Sequence, residues 1–189
     1  MLSTEIIRLS RKFIKGKVLD VGAGSGALIN KIPNAIGIDL APKHPKVIKA
    51  DISNLPFENE TFSTVFATEI LEHLDDETLE KGLSEIRRVL ITGGNIIITV
   101  PYKENLKQNM VTCPKCGTRF HRRLHVQIFD ENRIKSILEN KGFKVVKLRI
   151  LPIGFKVYHS YLNYFIIRLL KKLRIINPQE TLFVIATKI

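Results

Sequence analysis

The stretch VLDVGAGSG, residues 18–26, decides the fold of this chain. Its first four residues are apolar except for one acid, which is typical of a short, buried parallel strand. Three glycines follow at alternate positions, and glycine reaches positive φ and lets a ligand approach the backbone closely. Ser25 then stands where a helix N-cap is expected. The stretch therefore predicts a strand, a glycine-rich turn and a helix, with free N–H groups on which a nucleotide-like ligand can lie.

An acid inside the strand separates two kinds of glycine-rich site. Dinucleotide sites prefer G-x-G-x-x-G, which accommodates a pyrophosphate. Here the pattern is D-x-G-x-G-x-G over residues 20–26. Asp20 would repel a pyrophosphate, but it can bind the ammonium group of an amino-acid moiety. This pattern resembles the first motif of the class I S-adenosylmethionine-dependent methyltransferases.

The chain after the turn alternates between apolar strands and amphipathic helices. Strands are predicted at 35–39, 47–51, 62–67 and 95–100, the last stopped by Pro101, and a helix from Asp75 or Asp76 to about Leu90, ended by Gly93 and Gly94. Such alternation predicts an α/β fold with a doubly wound, mostly parallel sheet and helices on both faces. A short amphipathic helix is expected at residues 4–14.

The resemblance to the methyltransferase family is close over residues 17–101 and continues beyond them. Residues 130–141 match a closing helix, 143–151 a sixth strand and 181–187 a seventh. The resemblance implies a Rossmann-like sheet of seven strands in which the last is antiparallel, between the fifth and sixth. The whole chain, 1–189, is then one methyltransferase domain with inserts at 102–129 and 152–178.

The resemblance also implies which residues bind S-adenosylmethionine. Asp20 and the glycine-rich backbone are expected to hold the methionine part, and Asp39 the ribose hydroxyls. Asp51 is expected at the adenine amine, and Thr68 beside the sulfonium. The full set is Asp20, Gly22, Ala23, Gly24, Gly26, Asp39, Leu40, Asp51, Ile52 and Thr68.

Each of the three acids could instead be a helix N-cap or a solvated loop residue. Three acids at three consecutive strand ends favour a ligand site, because ligands of open α/β sheets bind at the carboxyl ends of the strands.

A second motif reads C-x2-C-x4-H-x3-H. Its members are Cys113, Cys116, His121 and His125. Four soft or borderline ligands within thirteen residues suit a tetrahedral, structural zinc ion and resemble a zinc knuckle. The cysteines could instead be a redox pair or unliganded thiols. His125 could belong to the active site, for which His73 and Tyr102 are further candidates.

Charge is distributed unevenly along the chain. Residues 1–100 carry 12 Lys and Arg against 13 Asp and Glu, a net charge of −1, whereas residues 101–189 carry 18 against 5, a net charge of +13. The basic half favours an anionic partner, such as nucleic acid, anionic lipid or a phosphorylated metabolite; a solubility role is the alternative. Residues 158–176 add an apolar helical stripe with basic residues on the rest of the wheel. This helix is expected either to pack on the domain or to act as a lid or membrane-surface helix.

The sequence thus predicts an S-adenosylmethionine-dependent methyltransferase acting on a small-molecule or lipid-linked acceptor. A zinc-stabilised nucleic-acid-binding protein, or an RNA methyltransferase, is the alternative. The Asn-Pro-Pro-Tyr-like string that base-methylating relatives carry after the fourth strand is absent, and residues 68–71 read TEIL instead. No signal peptide or membrane-spanning run is apparent, so a cytoplasmic protein, peripheral to the membrane if the basic helix binds lipid, is expected.

Overall fold

A computed structural model describes residues 2–152 and 180–189. Its centre is a seven-stranded sheet with the strand order β3 (Val47–Lys49), β2 (Ala35–Asp39), β1 (Val18–Val21), β4 (Phe62–Thr68), β5 (Leu90–Tyr102), β9 (Glu180–Lys188) and β8 (Phe143–Pro152). The first five strands are parallel, and β9 runs antiparallel to both of its neighbours, β5 and β8. The predicted fold class is confirmed, including the antiparallel last strand.

The strands that carry the glycine-rich turn and the acids lie on one side of the sheet. They are β1 (Val18–Val21), β2 (Ala35–Asp39), β3 (Val47–Lys49), β4 (Phe62–Thr68) and β5 (Leu90–Tyr102). The other strands of the sheet are β8 (Phe143–Pro152) and β9 (Glu180–Lys188). Because the first five strands are parallel, their carboxyl ends share one edge, and the loops that follow them converge there.

Helices cover both faces of the sheet. The helix α1 (Leu2–Ser10) packs on one face, and α2 (Asp76–Val89) and α3 (Glu131–Asn140) pack on the other. Val18 of β1 contributes to the core under α1, whereas the adjacent Leu19 contributes to the opposite core. Burial of both faces explains why the central strands are apolar at nearly every position.

The helices α2 and α3 begin where the sequence predicts. The Asp75 side chain accepts a hydrogen bond from the Thr78 amide at the start of α2. Asp130 caps α3 in the same way, through the Arg133 amide. A carboxylate in this position satisfies one of the free N–H groups of the first turn.

The helix predicted after the glycine-rich turn does not form, so that prediction is wrong. Only a short 3-10 turn occurs, at Ile29–Lys31. Gly26 and Asn34 have φ values of 73° and 62°, which interrupt a right-handed helix at both ends of this interval. Pro33 lies between them. Its missing N–H group and its ring disfavour a helix that starts before it and continues through it.

The fifth strand is longer than predicted. It starts at Leu90, directly after α2, and runs through Pro101 to Tyr102. Gly93 and Gly94 therefore lie within an irregular strand, where the register with β4 shifts, rather than ending the helix. The pairing of β5 with β4 ends at Thr99. Pro101 is therefore tolerated, because its missing N–H group removes no hydrogen bond to β4.

A small antiparallel hairpin projects between β5 and α3. It consists of β6 (Met110–Thr112) and β7 (Arg119–His121). The predicted basic helix at 158–176, and most of the insert at 152–178, lie outside the described residues. Within residues 2–152 and 180–189, none of the helices has the length and apolar character needed to cross a bilayer.

Candidate active site

Asp20 lies at the carboxyl end of β1 and is almost completely buried, with 3% of its surface exposed. Its Oδ1 atom has no hydrogen-bond partner among the described residues. Burial, and secondarily the charge of Asp39, raises the pKa of Asp20 to about 7. An unpartnered buried carboxylate is unfavourable on its own, so this position favours a cationic group on a ligand.

Asp39 connects the end of β2 to the glycine-rich turn. Its Oδ2 accepts a hydrogen bond from the Gly24 amide at 2.9 Å, and its Oδ1 accepts one from the Ala41 amide at 2.8 Å. Leu40, the next residue, is 65% exposed. A carboxylate beside an exposed apolar side chain is an arrangement that can receive a ribose and the adenine attached to it.

Asp51 and Ile52 follow β3 along the same edge. The exposed Asp51 accepts hydrogen bonds at 2.8 Å from both the amide and the hydroxyl of Ser53. Ile52 is buried and lies against Gly82 of α2. A Cβ atom added to Gly82 would come within 2.9 Å of Ile52 Cγ1. This contact fixes the position of the loop relative to α2.

The glycines of the turn have different structural roles. Gly22 and Gly24 have φ values of 75° and 49°, in the left-handed region that favours glycine. A Cβ on Gly22 would contact the Ile70 side chain at 3.0 Å, whereas one on Gly24 would meet only Asp39 Oδ2, at 3.8 Å. The turn therefore packs on the loop after β4 at Gly22 and is open above Gly24. Together with the unpartnered carboxylate of Asp20, this opening fits S-adenosylmethionine.

A second group of polar residues follows β4, starting next to Thr68. Glu69 has a φ of 55°, and its Oε1 is buried without a hydrogen-bond partner. Glu72 is 1% exposed, and both of its carboxylate oxygens lack partners among the described residues. Burial, and then the charge of Glu69, raises the pKa of Glu72 to about 8. A buried acid beside a second carboxylate with a buried, unpartnered oxygen again indicates a site for a cation.

Histidines surround these acids. The exposed ring of His73 makes an edge contact with His125, with 4.8 Å between the ring centroids. Burial, and then His125, lowers the pKa of His73. The buried Glu104, which follows β5, accepts a hydrogen bond from His125 Nδ1 at 2.5 Å. His121 is also buried, and its Nε2 lies 3.7 Å from Glu104 Oε1 and has no hydrogen-bond partner.

The four residues predicted to bind zinc are not brought together. Cys113 and Cys116 lie at the turn between β6 and β7, and the exposed Cys116 thiol donates a hydrogen bond to the Thr118 hydroxyl at 3.2 Å. His121 and His125 face Glu104 instead. Among the described residues, the groups with ligand atoms within 4.8 Å of one another are Glu72, His73 and His125, and Glu104, His121 and His125. Neither group contains a cysteine.

The sequence predicted some of these residues and missed others. His73 and His125 lie together near the carboxyl end of β4, as their candidacy for the active site requires. Tyr102 is directed towards α3, where its hydroxyl donates to Glu131 at 3.0 Å. Glu69, Glu72 and Glu104 were not predicted. Their only sequence signal is that they follow the ends of β4 and β5, and burial of their side chains is not visible in the sequence.

Comparison with known proteins agrees with this geometry. Residues 19–98 match the family model described as a methyltransferase domain. An uncharacterized protein of Methanocaldococcus jannaschii is 32% identical over 170 residues, which cover 83% of this chain and 70% of that protein. The tRNA (carboxymethyluridine(34)-5-O)-methyltransferase of Arabidopsis thaliana is 29% identical over 106 residues, half of this chain and 26% of its own length.

The solved structures agree on the fold. A SAM-dependent methyltransferase from Methanosarcina mazei superposes with a TM-score of 0.69 at 14% identity, over 96% of this chain and 97% of its own. The matched family model covers residues 19–98, from β1 into β5, which include the glycine-rich turn and the three acids. The chain therefore carries a methyltransferase domain over these residues, on the fold of the S-adenosylmethionine-dependent methyltransferases.

Proposed function

We propose that this enzyme transfers the sulfonium methyl group of S-adenosylmethionine to a small-molecule or lipid-linked acceptor that binds beside Thr68, Glu72 and His73. The observation that carries the proposal is the pair of polar sites at one edge of the sheet. Asp20 offers an unpartnered carboxylate on one side of Thr68, and the buried acids and histidines lie on the other. A cofactor and an acceptor can thus approach each other across the end of β4.

The residues of the first site are expected to bind three parts of the cofactor, which are its ammonium group, its methionine chain and its ribose. Asp20 binds the ammonium group, and the backbone of the turn at Gly22, Ala23 and Gly24 approaches the methionine chain. Asp39 binds the ribose hydroxyls. S-adenosylmethionine supplies an activated methyl group, so the protein's main task is to hold the acceptor in line with it.

The adenine is expected to lie between the loops that follow β2 and β3. Leu40 offers an exposed apolar surface there, and Asp51 and the Ile52 amide offer polar groups at the ring edge. Asp39 accepts a hydrogen bond from the Gly24 amide through its side chain and one from the Ala50 amide through its carbonyl, so hydrogen bonds connect both loops to the turn. Binding then requires little ordering of the chain, which lowers its entropic cost.

A compact polar acceptor suits the second site better than an RNA strand does. The carboxylates of Glu69 and Glu104 place negative charge after the ends of β4 and β5, which disfavours the phosphates of a nucleic acid. An anionic part of the acceptor is expected to contact the exposed basic residues of the hairpin and its surroundings instead. Arg119, Arg122 and Arg123 lie there.

Calorimetry with S-adenosylmethionine and S-adenosylhomocysteine tests the cofactor site. The native protein should bind both compounds, and Asp39→Ala should weaken binding at least tenfold, because a charged hydrogen-bond acceptor is lost. Glu58→Gln changes an exposed acid near the opposite edge of the sheet and should leave the affinity unchanged. Absence of binding by the folded native protein would contradict the assignment.

A transfer assay with the radiolabelled methyl donor tests the acceptor class. Metabolite, lipid and RNA fractions are offered separately, and the labelled product is identified. Label in a metabolite or lipid fraction supports the proposal. Label confined to RNA would overturn the acceptor class while leaving the methyltransferase activity in place.

A further inference from the structure

We propose that Glu72, His73 and His125 bind a divalent transition-metal ion at the acceptor side of the cleft, with Glu104 as a positioning residue. The proposal rests on the proposed function in one respect only, which is the role of the ion in acceptor binding. The ion site itself is argued from the contacts of these four residues.

Two separate chain segments supply the three ligands of this site. Glu72 and His73 lie in the 3-10 turn Leu71–His73 that follows β4. His125 lies in the segment between the hairpin and α3, and the amides of Val126 and Gln127 donate to the Glu72 carbonyl at 2.8 and 3.2 Å. These hydrogen bonds hold the two segments together independently of the side chains. The side chains are thus presented by a fixed backbone.

The three donor atoms lie close enough for side-chain shifts to bring them onto one ion. They lie within 4.8 Å of one another. Tetrahedral ligands bound about 2.1 Å from one ion lie about 3.4 Å apart, so closing the widest pair takes up to about 1.4 Å, shared between two side chains. Glu72 contributes a carboxylate whose two oxygens are buried and unpartnered. Nothing among the described side chains competes with an ion for these oxygens.

Glu104 determines which nitrogen of His125 is free. It accepts the hydrogen bond from Nδ1, so Nε2 is left to bind the ion. A carboxylate that holds the second nitrogen of a histidine is the usual outer partner of a metal ligand, because it fixes the ring and increases its basicity.

The alternative group, Glu104, His121 and His125, is less suited to an exchangeable ion. All three of its side chains are buried, whereas His73 is exposed and connects the proposed site to solvent. In addition, one carboxylate oxygen of Glu104 already accepts the hydrogen bond from His125. His121 is therefore expected to support the cluster without binding the ion.

The donor set selects the kind of ion and the kind of acceptor. Two imidazoles and one carboxylate favour zinc over manganese, magnesium and calcium, which prefer oxygen ligands. Three protein ligands leave coordination positions for an oxygen of the acceptor. A hydroxyl bound there loses its proton to solvent more readily, since the ion stabilises the resulting oxyanion. That oxygen forms the new bond to the methyl group as the methyl–sulfur bond breaks, giving a methyl ether and S-adenosylhomocysteine.

Metal-binding calorimetry on the chelator-treated full chain tests the site without any acceptor. Zinc should bind at one ion per chain, manganese more weakly, and magnesium most weakly. Glu72→Gln should weaken zinc binding at least 100-fold, and Glu104→Gln about tenfold, because the first loses a ligand and the second only its support. Cofactor affinity should stay unchanged in both variants.

The exposed His73 provides a variant that does not disturb the core. His73→Ala should weaken zinc binding at least tenfold and keep the native thermal unfolding transition. Cys113→Ser with Cys116→Ser is the matched control and should retain the ion. Loss of the ion in His121→Ala with retention in His73→Ala would overturn the proposal, as would loss in the cysteine variant or the absence of binding by the native chain.

The acceptor role is tested separately, once a labelled product is known. Chelation should lower its formation at least tenfold, and zinc or manganese should restore it. Transfer that is unaffected by chelation would overturn the role of the ion in acceptor binding. Zinc binding without any methyl transfer would instead count against the proposed function and leave the ion site standing.

Discussion

Asp20 is a buried acid near the carboxyl end of the apolar strand β1, and its ionisation opposes folding when no ligand is present. Its pKa is about 7 in the folded chain, against an ordinary value of 3.8. Between these two pH values the folded chain binds more protons than the unfolded chain. The stability that this group contributes is therefore complete below about pH 4 and is lost as the pH rises towards 7.

Asp20→Asn should remove this dependence from the cofactor-free protein. Relative to the variant, the native chain should lose stability with a slope of up to about 1.4 kcal/mol per pH unit between pH 4 and 7. Urea unfolding of both proteins at pH 5, 6, 7 and 8 measures the difference. Parallel stability profiles would show that Asp20 is not titrating in this range. The variant should also bind S-adenosylhomocysteine more weakly, because the ammonium group loses its partner.

The acids of the site are predictable from the sequence to different degrees. Asp20, Asp39 and Asp51 each lie at or just after the end of a short apolar strand, so their common edge follows from the parallel order of the strands. Glu72 has no such signal, because its burial depends on the segment around His125, which is distant in sequence. The zinc prediction failed to gain support for a related reason. Spacing along the chain does not reveal that a hairpin turn carries the cysteines while His121 lies at the base of β7.

At the scale of elements, the strands follow from composition and the missing helix follows from the backbone. Apolar, β-branched runs predicted β1, β2 and β4 to within about a residue, because burial on both faces imposes that composition. The interval after Gly26 lacked a comparable constraint. Its apolar residues suit a helix, but the positive φ at Gly26 and Asn34 prevents one. The periodicity of apolar residues indicates which side chains are buried, but it does not indicate where the backbone has a positive φ.

The contact between α2 and the loop after β3 gives a prediction at this scale. Gly82→Ala in the middle of a helix ordinarily stabilises by about 1 kcal/mol. Here the new Cβ would come within 2.9 Å of Ile52 Cγ1 and 3.0 Å of its Cδ1. Overpacking of this kind costs about 1–3 kcal/mol, so the variant should be less stable by about 1 kcal/mol.

Denaturant unfolding of a double-mutant cycle checks this contact. In the Ile52→Ala background the clash is absent, and Gly82→Ala should then be neutral or stabilising. Equal destabilisation in both backgrounds would show that Gly82 is needed for a reason other than its contact with Ile52.

At the scale of the whole molecule, the two halves of the chain have different charge and different tasks. The half with a net charge of −1 contains β1 to β4 and most of β5, which carry the expected cofactor residues. The half with a net charge of +13 contains the hairpin insert. Its exposed arginines lie on the side of the sheet where the loop after β5 emerges. An anionic acceptor or surface would therefore meet the basic half as it approaches the cleft.

Reversal of Arg119, Arg122 and Arg123 to glutamate tests this attraction. Association with the anionic partner should weaken at least tenfold and lose most of its salt dependence, because exposed charges act over only about 8 Å at physiological ionic strength. Arg11, Lys12 and Lys15 are also exposed but precede β1 at the opposite edge of the sheet, so their reversal is the matched control with the same change in net charge. Co-sedimentation with anionic vesicles and gel shifts with RNA, each at low and high salt, separate a lipid from a nucleic-acid partner. An equal loss in both triple variants would mean that net charge alone drives association, and no loss in either would leave the hairpin arginines as ordinary solvated surface.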